Sequence, residues 1–167
     1  MTRFLLEKLQ ITLGHLAEQS VVAVTPIGDI EYQPTEGYKT DNTLPETGWE
    51  PFAPGQRISG YDSHFWFKAA VKTPPAKPGR QYMLRCTTGR EGLWDATNPQ
   101  GLVYLNGYMA GAFDTNHTEI FLDPDTEYVI HNYFYTGSEY GAETGSCVLT
   151  VNYDMFLVER DLDVQEL

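Results

Sequence analysis

Between His64 and Val71 the side chains alternate in character. An extended chain places Phe65, Phe67, Ala69 and Val71 on one face and His64, Trp66, Lys68 and Ala70 on the other. That period of two predicts a half-buried strand. The N-terminal segment keeps a different period. Leu5, Leu9, Leu13 and Leu16 recur at near-helical spacing with Glu7, Lys8 and Glu18 turned away, which predicts an amphipathic helix over residues 1–20 with Thr2 as its N-cap. Val21 to Val24 reads as a short strand. From Pro26 to Pro54 the chain is irregular and rich in Gly, Pro, Asn and Asp. So long an irregular stretch is uncommon inside a lone domain, and it is expected to lie over a surface, its own or a partner's.

The clearest local signal is Asn106-Gly107, set between Leu102-Val103-Tyr104-Leu105 and Tyr108-Met109. Asn and Gly both tolerate the positive φ of a type I′ turn, so this is a β-hairpin. Pro74 to Gly79 makes a stiff turn into a strand over Gln81–Thr87, and further strands are predicted at Thr118–Leu122, Glu127–Tyr135 and Ser146–Val158. Short strands separated by turn signals predict an antiparallel β-sandwich over residues 21–158, with jelly-roll connectivity the preferred topology. Residues 159–167 read as an acidic linker cut short.

Charge narrows the function classes. Eleven basic residues against twenty-three acidic ones give a net charge of −12, which excludes a nucleic-acid binder because phosphate backbones need clustered Lys and Arg. The N-terminus carries charges inside its apolar stretch and has no small-residue cleavage site, so it is not a secretory signal, and no run approaches the roughly 18 apolar residues of a membrane span. A cytoplasmic protein is expected, and the sequon Asn116-His117-Thr118 reads as chance. Cys86 and Cys147 lie in apolar, strand-like segments and are expected to be buried free thiols, with an isolated disulfide as the alternative.

Catalytic and metal motifs do not emerge. The histidines at 15, 64, 117 and 131 form no zinc-ligand spacing, no Gly-x-Ser-x-Gly occurs, and Thr88-Gly89-Arg90-Glu91-Gly92 lacks the Lys-Ser/Thr ending of a phosphate loop. Two polar loops hold the candidate ligand-binding residues. Trp94, Asp95 and Asn98 precede the hairpin; Asp114, Asn116, His117 and Glu119 follow it. A Trp in a polar loop either anchors that loop or stacks on the apolar face of a pyranose while neighbouring Asp and Asn bond the hydroxyls. The second cluster either ties down its own loop or holds a cation or a hydroxylated ligand.

The run WEPFAPGQRISGYDSHFWFKAAV (Trp49–Val71), then TGREGLWDATNPQGLVYLNG and DTNHTEIFL, closely resembles the N-terminal β-sandwich domain of glycoside hydrolase family 38 alpha-mannosidases of the cytoplasmic and bacterial type. The opening helix and the closing LVERDLDVQEL resemble that family's start and its lead-in to the catalytic barrel, so the likeness covers almost the whole chain. One departure is Gly111-Ala112-Phe113-Asp114, where a Gln-Gly-Leu-Asp-like stretch is expected. The resemblance implies a galactose-binding-domain-like sandwich that is not itself an enzyme, packed on a downstream zinc-dependent retaining barrel that removes alpha-mannose from glycans, in a parent for which homo-oligomerisation is an open expectation. The zinc ligands and the Asp nucleophile of that family belong to the barrel, and no position here matches them; no cofactor is expected in this chain. The alternative expectation is a carbohydrate-binding module for mannose-containing glycans.

Overall fold

The structure is a computed structural model that describes residues 2–38, 43–92, 98–137 and 149–165. A helix, α1 (Thr2–Gln19), opens the chain and is followed by β1 (Val21–Pro26), β2 (Glu31–Thr35), β3 (Glu50–Pro51), β4 (Arg57–Gly60), β5 (His64–Lys72) and β6 (Arg80–Thr87). Then come β7 (Gln100–Leu105), β8 (Tyr108–Phe113), β9 (Glu119–Leu122), β10 (Glu127–Tyr135), β11 (Leu149–Asn152), β12 (Asp154–Asp161) and the single turn α2 (Leu162–Gln165).

The protein is mainly β, and among the described residues every pairing is antiparallel. One sheet has the order β1-β12-β6-β9, the second β3-β2-β5-β10-β7-β8, and β4 pairs with β11. Set β2, β3, β4 and β11 aside and eight strands remain. In chain order they run first-eighth-third-sixth in one sheet and second-seventh-fourth-fifth in the other. That interleaving is the jelly roll, two Greek keys folded face to face.

Alternation along the strands builds the core. Phe67 from β5, Val103 from β7 and Ile130 and Phe134 from β10 meet Leu84 of β6 and Met155 of β12, all buried. Each such side chain contributes about 1.5–3 kcal/mol over leaving it in water. Tyr153, between β11 and β12, stacks on Phe67 with centroids 3.7 Å apart, and its hydroxyl accepts a hydrogen bond from Asn132 Nδ2 at 2.7 Å. Burial pushes the free Cys86 thiol up to about 12, so it stays protonated; Cys147 lies outside the described residues.

Three boundaries differ from the sequence expectation. The final strand is broken at Tyr153, where the chain leaves β4 and joins β6. It then runs on to Asp161, because Lys77 pairs with Glu159 at 3.0 Å and Arg80 with Asp161. The irregular stretch also contains β2, whose Pro34 lies beyond the two-residue pairing with β3 and so needs no N–H on that edge. The Asn106-Gly107 hairpin is as read: both residues have positive φ, 51° and 86°. Asn106 pins it to β10 by accepting from the Val129 N–H at 2.8 Å and donating to the Glu127 carbonyl at 3.0 Å.

The two outer faces are unlike. On the six-stranded sheet Trp66, Tyr104 and Tyr133 are buried beneath Tyr38, Leu44 and Trp49 from the segment between β2 and β3. On the four-stranded sheet Val24, Val158, Met83 and Phe121 stand in register across the strands, and the two edge residues, Val24 and Phe121, are exposed. Helix α1 is bare as well. Phe4, Leu5, Leu6, Leu9, Ile11 and Leu13 are between 51% and 65% exposed. The helix is held at its C-terminal end, where the Ser20 N–H reaches the Leu16 carbonyl, the Ser20 carbonyl accepts from the Asp161 N–H at 2.7 Å, and Ser20 Oγ accepts from Arg160 at 2.7 Å. It touches α2 there.

Candidate functional site

Strand register assembles an aromatic surface that no short motif announces. On the outer side of the six-stranded sheet His64 of β5 faces Tyr135 of β10, which faces Gln100 of β7. One row along, Trp66 faces Tyr133 and Tyr133 faces Leu102. The His64 ring runs nearly parallel to both tyrosines, 4.9 Å from Tyr135 and 5.8 Å from Tyr133, and Tyr38 leans on Tyr133 at 5.1 Å. All of them but Trp66 line a cavity of about 510 Å³, whose lining also includes Asp62, Ala112, Phe113 and Asp114.

Its polar groups are held in place. Tyr133 Oη and His64 Nδ1 share a hydrogen bond at 2.6 Å, and the Tyr135 hydroxyl donates to Asp62 Oδ1 at 2.5 Å. That bond, with burial behind it, pushes the Tyr135 phenol up to about 12. Burial likewise raises Tyr133. Both stay neutral near pH 7. Asp62 takes a left-handed φ of 52°, which Asp tolerates better than most residues. Its N–H donates to the Gly137 carbonyl at 3.1 Å, and the Ser63 N–H donates to Thr136 Oγ1 at 3.0 Å, so the turn is tied to the end of β10. Among the described residues no Lys or Arg lines the cavity.

The residues expected from sequence divide between places. Trp94 and Asp95 lie outside the described residues. Asn98 packs against Gly137 and precedes a cis bond to Pro99. Asp114, Asn116 and His117 form one turn: Asp114 Oδ1 accepts from the N–H groups of Asn116 and His117, each at 2.7 Å, and its carboxylate meets the His117 ring at 2.9 Å. Burial would raise the Asp114 carboxyl, but the His117 ring and the two N–H groups outweigh it and leave it lowered. Asp114 alone of this group lines the aromatic cavity. Asn116, His117 and Glu119 face a separate groove of about 540 Å³ outside the four-stranded sheet, where Glu119 is paired with Arg85 at 2.6 Å and with Arg160 at 2.8 Å.

Asp114 therefore ties its own loop, and Glu119 joins two strands through arginines. Among the described residues no group of three or more His, Cys, Asp or Glu is placed to hold a metal ion. No described helix is long and apolar enough to cross a membrane. Sequence reading missed Asp62, His64, Gln100, Tyr133 and Tyr135. Its alternation puts His64 on the same face as Trp66, but nothing in the chain pairs position 64 with position 135 before the register is known. No protein-family model and no curated protein matches this sequence.

Proposed function

We propose that this chain is a non-catalytic N-terminal sandwich domain of a family 38 alpha-mannosidase, a cytoplasmic enzyme that hydrolyses alpha-mannosides of glycans. Its role is to support a downstream catalytic barrel, in which zinc and the nucleophile reside. The observation that carries the reading is the bare apolar surface of α1 together with Val22 and Val24 of β1, the strand that follows and touches it. Apolar surface grouped in this way marks a place where a further protein layer sits. A helix apolar on its Leu5–Leu9–Leu13 stripe, and again at Phe4 and Ile11, suits an element enclosed between two domains. The jelly-roll sandwich agrees with the fold that the sequence resemblance implies.

Sequencing the coding region beyond Leu167 is the test. An open frame of several hundred codons with an early His-x-Asp pair is the expected result, and the encoded protein then hydrolyses p-nitrophenyl alpha-mannoside while residues 1–167 alone do not. A stop codon directly after Leu167, or a long frame without that pair, overturns the proposal.

A further inference from the structure

We infer that the cavity on the outer face of the six-stranded sheet is a binding site for a neutral pyranose. The inference stands apart from the supporting role proposed above, because it needs neither a downstream domain nor catalysis. A volume of about 510 Å³ falls within the ~300–1,000 Å³ that small-ligand sites occupy. Rings supply much of the wall and make its surface mostly apolar, as contact with the C–H groups of a sugar requires. Around them stand Asp62, Gln100 and Asp114, together with the hydroxyls of Tyr133 and Tyr135. That set both accepts and donates hydrogen bonds, as a ring of adjacent hydroxyls requires.

Charge decides against other ligands. Two carboxylates and, among the described residues, no basic side chain disfavour anions, and the chain's net charge of −12 opposes them at longer range. An organic cation needs an open ring face and a carboxylate with its charge to spare. Here the rings of His64, Tyr133 and Tyr135 cover one another, Asp62 already accepts from Tyr135, and Asp114 already accepts from its own turn. A polyol donates to such carboxylates without demanding their full charge. The left-handed backbone of Asp62, fixed by Gly137, holds its carboxylate at the cavity wall before any ligand arrives.

Titrating the full chain with methyl α-mannopyranoside, methyl α-glucopyranoside and methyl β-galactopyranoside to about 50 mM, read by saturation-transfer NMR and calorimetry, tests the site at the millimolar affinities single sugars reach. At least one glycoside is expected to saturate. Asp62→Asn keeps a residue that tolerates the left-handed turn, and Gln100→Ala leaves that turn untouched. Each is expected to weaken the response about tenfold at an unchanged thermal midpoint, while His117→Ala, at the other groove, leaves it as it was. Saturation by none of the three glycosides overturns the inference. So does binding indifferent to both Asp62→Asn and Gln100→Ala, or tetramethylammonium chloride binding at the cavity in their place.

Discussion

The two outer faces of this sandwich are built from the same kind of strand but end differently. Trp66 is 5% exposed because the segment after β2 folds back over it with Tyr38, Leu44 and Trp49. Phe121, equally apolar and equally outward, is 62% exposed. One face is completed by the chain's own loop, at the cost of ordering a long irregular segment. The other buries Val158 and Met83 at its centre but leaves its edge residues Val24 and Phe121 bare, and an exposed apolar helix leads into its first strand. A large ring on an outward strand position is therefore no guide to function until its cover is known.

The contrast can be broken most directly at Trp66. Trp66→Ala is expected to destabilise the protein by about 3–5 kcal/mol, the usual result of emptying a packed aromatic position. Urea denaturation reads this, and a loss under about 1 kcal/mol would mean the loop is not a true cover. Gly101→Ala comes next, at about 1–3 kcal/mol from overpacking. A methyl there would stand 2.5 Å from the buried, unpaired Asn132 Oδ1 and 3.1 Å from the Tyr133 carbonyl, under the cavity. Asp114→Ala removes the acceptor for two N–H groups and a ring, and is expected to cost about 1 kcal/mol.

Two pH effects sharpen the comparison. Asp114 has a lowered carboxyl, so its contribution is present above the unfolded value of about 3.9 and is lost as pH falls through the folded value; Asp114→Asn should flatten that acid limb. His131, beside Trp49 on the covered face, has its pKa lowered by burial and then by Lys68. The folded state keeps it neutral while the unfolded chain takes up a proton near 6.5, so stability should drop as pH falls below about 6.5. His131→Gln is expected to remove that drop in thermal melts run from pH 7 to pH 5. The smallest effect belongs to the bare face: Phe121→Ala should stay within about 0.5 kcal/mol. A larger loss would show that this edge is covered after all.

Much of the architecture was legible in the chain. Alternation over 64–71 separated core from outer face residue by residue, and Asn106-Gly107 fixed a hairpin through the one backbone geometry those residues favour. The cover over Trp66 was not legible, because it depends on Tyr38, Leu44 and Trp49 meeting a sheet whose order is set by distant strands. The aromatic cavity was hidden for the same reason: Asp62 and Tyr135 touch only once β5 and β10 are paired. Asp114, Asn116 and His117 did lie together as their spacing implied, yet their bonds turn inward to their own loop.

The jelly roll brings the first strand beside the last, and the Ser20–Asp161 bond locks the end of α1 to the end of β12. Any polypeptide joined after residue 165 therefore starts its path next to the bare helix. A short tether of that kind holds its cargo at an effective concentration in the millimolar range. Under that condition a surface too weak to capture a free protein is occupied most of the time by an attached one. The patch then has no need of the area of a stable complex, and severing the tether should release what it holds.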